Sequence, residues 1–180
     1  MGDRRGRFEA QVLPHLDAAY RYARWLGGPP GDADDVVQEA VLRAFRGFDG
    51  LRGDAKAWLL TIVRNCHATA AKQRLRRGFV PLPDEHEPDA AAALTAPAPG
   101  PEAIAIGEDE GRSLERLLRS LPDPHREVLV LREIEEMDYR QIAAVTNVPI
   151  GTVMSRLARA RAALKAQWAA GAAGGAHDVP

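Results

Sequence analysis

The chain has 180 residues, 46% of them hydrophobic, with a formal net charge of −1, enough for one medium domain or two small ones. No apolar run reaches the ~18 residues of a membrane span, and the charged start MGDRRGRFEA lacks the apolar stretch of a secretory signal. The lone Cys66 excludes an internal disulfide and fits a reducing cytoplasm.

The near-neutral sum conceals a partition. Residues 1–80 carry a net +5, residues 81–111 hold 8 acids and no base, and residues 112–168 carry +3. Two basic modules are thus joined by an acidic strap, a pattern that says more about partners than the overall charge does.

In chain order, the spacing of Phe8, Val12, Leu16, Ala19, Ala23 and Leu26 predicts a first helix from about Arg7 to Leu26. The Gly-Gly-Pro-Pro-Gly stretch at 27–31 ends it. A second helix opens with Asp32 as N-cap and buries Val37, Val41, Ala44, Phe45 and Phe48. On its other side Asp35, Gln38 and Glu39 share one face, with Asp32 a turn back. First-turn acids stabilise a helix by ~0.3–1 kcal/mol each, which accounts for Asp32 and Asp34. Gln38 and Glu39 are less well explained that way, and an acidic face on a basic module also suits a basic protein partner.

A third helix begins near Asp54 and runs toward Arg77, packing Trp58, Ile62, Val63 and Cys66. From Ala55 to Pro83 there are six Lys or Arg and no acid. Asn65 suits a base edge and the arginines suit phosphates. Basic and aromatic residues together fit single-stranded nucleic acid, although Trp58 fits a core anchor better than a stacking platform.

Residues 1–79 therefore form a three-helix domain. Residues 80–101, rich in Pro, Ala and acids, cannot bury a core and read as a flexible linker. Helices at about 102–119 and 124–135 open a second domain at 102–168, and 169–180 read as a disordered tail. The fold class is all-α, and no internal repeat is present.

Within the second domain, residues 138–164 read as helix, turn, helix. Ile142, Ala143 and Val145 form an apolar stripe, Asn147 sits at a break that wants positive φ, and Pro149 presets the next helix start. Val153, Leu157, Ala160 and Leu164 recur at steps of four, three and four and make the buried face. Thr152, Ser155, Arg156 and Arg159 form the outward arc, with Met154 and Ala158 beside them. A basic, hydroxyl-bearing second helix suits a DNA major groove.

The acidic D-x-D-D-x-x-Q-E helix, W-L-x-x-I-x-x-N, a Pro-rich linker, L-P-x-x-x-R-E-V at 121–128 and G-T-V-x-S-R-L-x-R-A-R at 151–161 follow one another in a single order. In this the chain resembles the extracytoplasmic-function (ECF) class of bacterial RNA polymerase sigma factors over residues 7–165. The resemblance implies that the first domain is sigma region 2, docking on the β′ clamp helices of core polymerase through Asp32, Asp35, Gln38 and Glu39. It implies −10 element recognition and melting by Leu51, Arg52, Lys56, Arg64, Asn65, Arg74, Arg76 and Arg77, with a base flipped from the non-template strand. The second domain is implied to be region 4, touching the β flap and reading the −35 element through Thr152, Met154, Ser155, Arg156, Ala158, Arg159 and Arg161.

Two departures stand out. Met154 replaces the Lys or Arg that many members carry, an apolar reader suited to a thymine methyl, and the Gly53–Trp58 segment is short and lacks an extra aromatic. The acidic strap fits either a mimic of RNA charge in the polymerase channel or a tether kept soluble by charge.

The five histidines are scattered, and no nucleophile, metal or phosphate-loop spacing is present, so the chain is read as no enzyme, with no cofactor. The resemblance implies core RNA polymerase, promoter DNA and an anti-sigma factor as partners, a cytoplasmic location, and no membrane or small-molecule substrate. The competing reading is a stand-alone helix-turn-helix regulator, which leaves the acidic face and W-L-x-x-I-x-x-N without a task. A pure protein-interaction module leaves the basic recognition helix unexplained.

Overall fold

The computed structural model describes residues 2–28, 31–77 and 114–174, and among these every regular element is helical. The N-terminal domain comprises α1 (Gly2–Val12), a 3-10 turn (Leu13–His15), α2 (Leu16–Leu26), α3 (Asp32–Gly47), a second 3-10 turn (Phe48–Gly50) and α4 (Ala55–Arg76). The C-terminal domain comprises α5 (114–119), α6 (Asp123–Leu129), a π-helical turn (Val130–Ile134), α7 (Tyr139–Thr146) and α8 (Ile150–Gly174). The expected linker at 80–101 and the start of the helix expected at 102–119 lie outside the described residues.

The first helix is not continuous. Pro14 has no N–H to give and its ring crowds the preceding turn, so the chain tightens at Leu13–His15 and restarts as α2. The apolar repeat passes through the break almost in phase, which is why Phe8, Val12, Ala19 and Ala23 are all buried as the repeat predicts. The N-terminal domain thus has four helices, not three.

Their core adds Tyr22, Val36, Val37, Ala40, Ala44, Leu59, Leu60, Val63 and Cys66. Phe8 meets Phe45 and Phe48 edge-on, with centroids 5.1 and 5.5 Å apart. Phe45, expected in the core, keeps one side at the surface, where the Arg4 guanidinium lies 5.0 Å from its ring. Trp58 and Ile62 are only half-buried, at the edge of a buried face formed by Leu59, Leu60, Val63 and Cys66. Asp54 caps α4, accepting from the Lys56 and Ala57 N–H groups at 3.2 and 3.1 Å. Asp32, by contrast, does not cap α3. Gly31 does so with φ 83°, a left-handed conformation glycine adopts freely, and Asp32 is the first helical residue.

The helix-turn-helix follows its sequence closely. Asp138 and Gln141 form a capping box at the start of α7, with both bonds at 2.8 Å. Asn147 ends α7 at φ 52°, ψ 48°. Ile142, Val145, Val153, Leu157 and Ala160 are buried, and Leu164 is half-buried. Beyond it, residues 169–174, expected to be disordered, continue α8, because alanine is the strongest helix former and these residues are mostly alanine.

The two faces of α8 should separate under truncation. Leu157→Ala should lower stability by ~2–4 kcal/mol through the cavity it leaves. Met154→Ala, at a position 54% exposed, should stay within ~0.5 kcal/mol; urea unfolding of the two variants measures the difference.

Candidate functional site

The outer face of α3 carries a line at steps of three and four: Asp35, Gln38, Leu42 and Phe45. Asp35 and Gln38 are exposed, and Leu42 is 51% exposed. The face is therefore acidic at its start and apolar at its end. Leu42 was not foreseen, although its place four residues after Gln38 was the available signal. Glu39 is half-buried and holds Arg43 at 2.6 Å. Asp32 turns away from this face to pair with Arg74, and its Oδ2 is buried with no hydrogen-bond partner among the described residues.

At 100° per residue, α4 sorts its basic residues onto two sides. Asn65, Lys72 and Arg76 lie within about 20° of one line, and all three are exposed, as is Arg77 at the helix end. Lys72 was missed, though its spacing from Asn65 and Arg76 marks it. Lys56 and Arg74 project from the opposite side and Arg64 from the flank. These three cations are engaged: Arg74 by Asp32, Lys56 by Glu135 and Arg64 by Glu127. Of the residues expected along the −10 strand, then, Asn65, Arg76 and Arg77 share open surface, while Lys56, Arg64 and Arg74 do not join them.

The loop before α4 borders a cavity of about 260 Å³ between Arg7, Gln11, Phe48, Asp49, Leu51, Arg52 and Gly53. Leu51 is half-buried there, and Arg52 is exposed, donating to the Asp49 and Leu51 carbonyls at 2.9 Å. Asn65 is not among the cavity walls.

On α8, Met154, Ser155, Ala158 and Arg159 are exposed, and Thr152 and Arg156 are half-buried beside them. Ser155 Oγ donates to the Thr152 carbonyl at 3.0 Å, a bond that is readily exchanged for another acceptor. Arg161 is exposed but paired with Glu133 at 2.7 Å, which ties it to the domain's own π turn.

Between the domains, α2 and α4 face α6, the π turn and α7. Glu135 receives Arg21 Nε at 2.9 Å, Arg21 Nη2 at 3.1 Å and Lys56 Nζ at 2.8 Å. Glu127 receives the Tyr22 hydroxyl at 2.8 Å and Arg64 Nε at 2.7 Å. Burial and the neighbouring Glu127 carboxylate hold the Tyr22 phenol well above its ordinary pKa, so it remains a proton donor. Arg126 Nε donates to the Trp25 carbonyl at 3.1 Å, and Gln141 Nε2 to Asp54 at 2.8 Å.

Comparison with known proteins places this geometry. The Sigma-70 region 2 family matches residues 12–77 and the Sigma-70 region 4 family matches residues 111–164. The ECF RNA polymerase sigma-E factor of Escherichia coli K12 is 36% identical over 145 residues, covering 76% of this chain and 73% of that protein. The ECF sigma factor SigE of Mycolicibacterium smegmatis is 34% identical over 155 residues, covering 86% of this chain, which spans only 58% of that relative's length. Among solved structures, the sigma factor RpoE in complex with the anti-sigma factor NepR from Bartonella quintana superposes with a TM-score of 0.70 at 25% identity, over 88% of this chain and 94% of that one. CnrH in complex with the cytosolic domain of CnrY does so at 0.56 and 26% identity, over 92% and 87%. The chain belongs to the ECF class of RNA polymerase sigma factors, which bind the polymerase and direct promoter-specific initiation.

The inward cations of α4 should behave as structure. Arg74→Ala leaves the Asp32 carboxylate unpaired in a largely buried place and should lower stability by ~1–2 kcal/mol, whereas Arg76→Ala should stay within ~0.5 kcal/mol. Equal losses in chemical denaturation would contradict the sorting of α4 into two sides.

Proposed function

We propose that this sigma factor works through three separate faces on three helices, by binding and without chemistry of its own. The observation that carries the reading is their separation: an acidic-to-apolar line on α3, a line of Asn65 and cations on α4, and a polar arc on α8 backed by a buried apolar stripe. A stand-alone regulator needs only the last of these.

In this reading Asp35, Gln38 and Leu42, with Glu39 and Phe45 at the margin, dock on a basic and apolar partner surface of core polymerase, the β′ clamp helices. Asp32 serves them indirectly by anchoring the start of α3 through Arg74. Asn65, Lys72, Arg76 and Arg77 line the path of the −10 strand, where Asn65 offers both a donor and an acceptor to a base edge. The cavity beside Leu51, Arg52 and Gly53 receives a flipped base, whose unstacking costs a few kcal/mol and must be offset by the fit. Region 4 lays α8 in the −35 major groove. There Thr152 and Arg156 hold phosphates while Met154, Ser155, Ala158 and Arg159 face base edges, and Met154 favours a thymine methyl.

Residues 1–79 and 102–168 are the two functional units, and the acidic 80–101 stretch connects them. The complex of the RpoE relative with the anti-sigma factor NepR supports an anti-sigma partner for this chain as well. A factor acting at bacterial promoters would work in the cytoplasm, and this reading takes the chain to act there; among the described residues no helix is long and apolar enough to cross a membrane.

Two measurements test the faces. Wild-type chain should bind sigma-free core polymerase with a Kd of order nanomolar, ~12 kcal/mol, and Asp35→Arg with Gln38→Ala should weaken this at least ~100-fold, about 2.7 kcal/mol. Tight binding that survives the double variant would move the docking face elsewhere; no binding by wild type, with duplex DNA still bound, would favour the stand-alone regulator. On a single-stranded −10 oligonucleotide, removing Lys72 and Arg76 together should reduce the salt slope of binding by about 1.4, at ~0.7 per released cation. An unchanged slope takes both residues off the strand path.

A further inference from the structure

Two arginines border the polar arc of α8, and only one of them has a task in the reading above. At 100° per residue, about 220° of the helix surface lies between Arg156 and Arg161 on the outward side, holding the exposed Met154, Ser155, Ala158 and Arg159. A helix with its side chains is about 10–12 Å across and the major groove about 12 Å wide. A seated helix therefore turns its central arc to base edges and both borders to phosphates. Thr152 and Arg156 serve one border. The other carries Arg161.

Arg161 is already engaged. Its Nη2 donates to Glu133 Oε1 of the π turn at 2.7 Å, the length of a charge-assisted bond to a phosphate oxygen. It also bonds with Tyr139 at the start of α7, whose ring centroid lies 5.3 Å from the Arg132 guanidinium. The Glu133 carboxylate thus stands where a DNA strand along that border would bring its own anion. The pair is open to exchange: its side chains are 51% and 52% exposed, and ion pairs so accessible to water and salt are weakly held. Asp138, the other acid at this end of α7, is committed to the Gln141 N–H at 2.8 Å.

We propose that Glu133 is a specificity-determining residue, which occupies Arg161 as a substitute phosphate and yields it only to a duplex on which α8 is fully seated. A duplex held loosely brings no phosphate to Arg161 in register and meets the Glu133 charge instead. A target duplex, fixed by its base-edge contacts, sets a phosphate at Arg161 and completes the exchange. Glu133 therefore weakens non-target binding more than target binding. The proposal rests on the reading of α8 as the −35 helix.

The test uses the full chain as wild type, Glu133→Gln, Arg161→Ala and the double variant. Both positions are exposed, so all four should melt alike. The probes are a duplex of random sequence and a duplex enriched from a random library by wild-type chain bound to core polymerase. On the random duplex, Glu133→Gln should bind ~5-fold tighter near 0.15 M salt and steepen the salt slope by ~0.9, the contribution of one released counterion. Arg161→Ala should leave that duplex unaffected, and the gain from Glu133→Gln should vanish in the double variant. On the enriched duplex the order reverses: Arg161→Ala should lose ~5-fold and ~0.9 of slope, while Glu133→Gln changes little.

A gain from Glu133→Gln that persists without Arg161 would reduce Glu133 to bulk charge and overturn the exchange. Equal gains on both duplexes would remove its part in specificity, and so would a wild type that holds the two duplexes equally. Failure of wild type to bind core polymerase would instead defeat the sigma reading itself. Successful enrichment with variants indistinguishable from wild type would defeat the role of Glu133 alone.

Discussion

A carboxylate with no exposed surface dictates how the halves of this molecule meet. Glu135 side-chain burial would carry a penalty of several kcal/mol if the charge stood alone, so cations must come to it. Arg21 supplies a two-pronged contact from α2 and Lys56 a third bond from the first turn of α4. The backbone prepares this. The π turn at Val130–Ile134 widens the helix so that the Glu135 N–H bonds to the Val130 carbonyl five residues back. Glu136 then takes φ 55° to swing the chain into α7. A regular α-helix through the same residues would turn the carboxylate about a quarter-turn away from α2 and α4.

Once Glu135 is fixed, α4 is divided. Its paired cations are committed, Lys56 and Arg64 to the other domain and Arg74 to Asp32, while Asn65, Lys72 and Arg76 on its outward line stay exposed. The stretch that reads in sequence as one basic surface is two populations of cations, one paired within the protein and one exposed. The L-P-x-x-x-R-E-V motif at 121–128 is drawn into the same arrangement, since Arg126 reaches the Trp25 carbonyl and Glu127 reaches Tyr22 and Arg64. Arg126 also donates to the Arg119 and Leu121 carbonyls and to Asp123. It braces its own domain while touching the other.

What the sequence made legible was local. The α8 stripe, the left-handed Asn147 and the start of α4 near Asp54 each depend on residues within one or two turns, where periodicity and capping chemistry act directly. The break at Pro14 was hidden because a single 3-10 turn barely disturbs the phase of the apolar repeat, although proline itself was the warning. Asp32 has the chemistry of a cap but was outcompeted by Gly31 in the position and by Arg74 for the carboxylate. The half-covered Phe45 looked like core because hydrophobicity alone does not say which side of a helix lacks a partner. The Arg21–Glu135 contact joins residues 114 apart, and no local pattern announces a pair at that separation.

An interface of this kind suits a switch better than a permanent joint. Interdomain surfaces that are polar leave relative motion as the default, and a buried ion pair adds little net stability against the fully solvated alternative. It does, however, penalise near-miss arrangements heavily, because a displaced Arg21 or Lys56 leaves Glu135 buried and unpaired. The closed geometry is therefore sharply defined without being deeply stable. Separation would return Glu127 and Glu135 to solvent, and that solvation would offset part of the lost attraction. Replacing the same contacts by leucines would have made the domains adhere through apolar area, which would have to be exposed on opening.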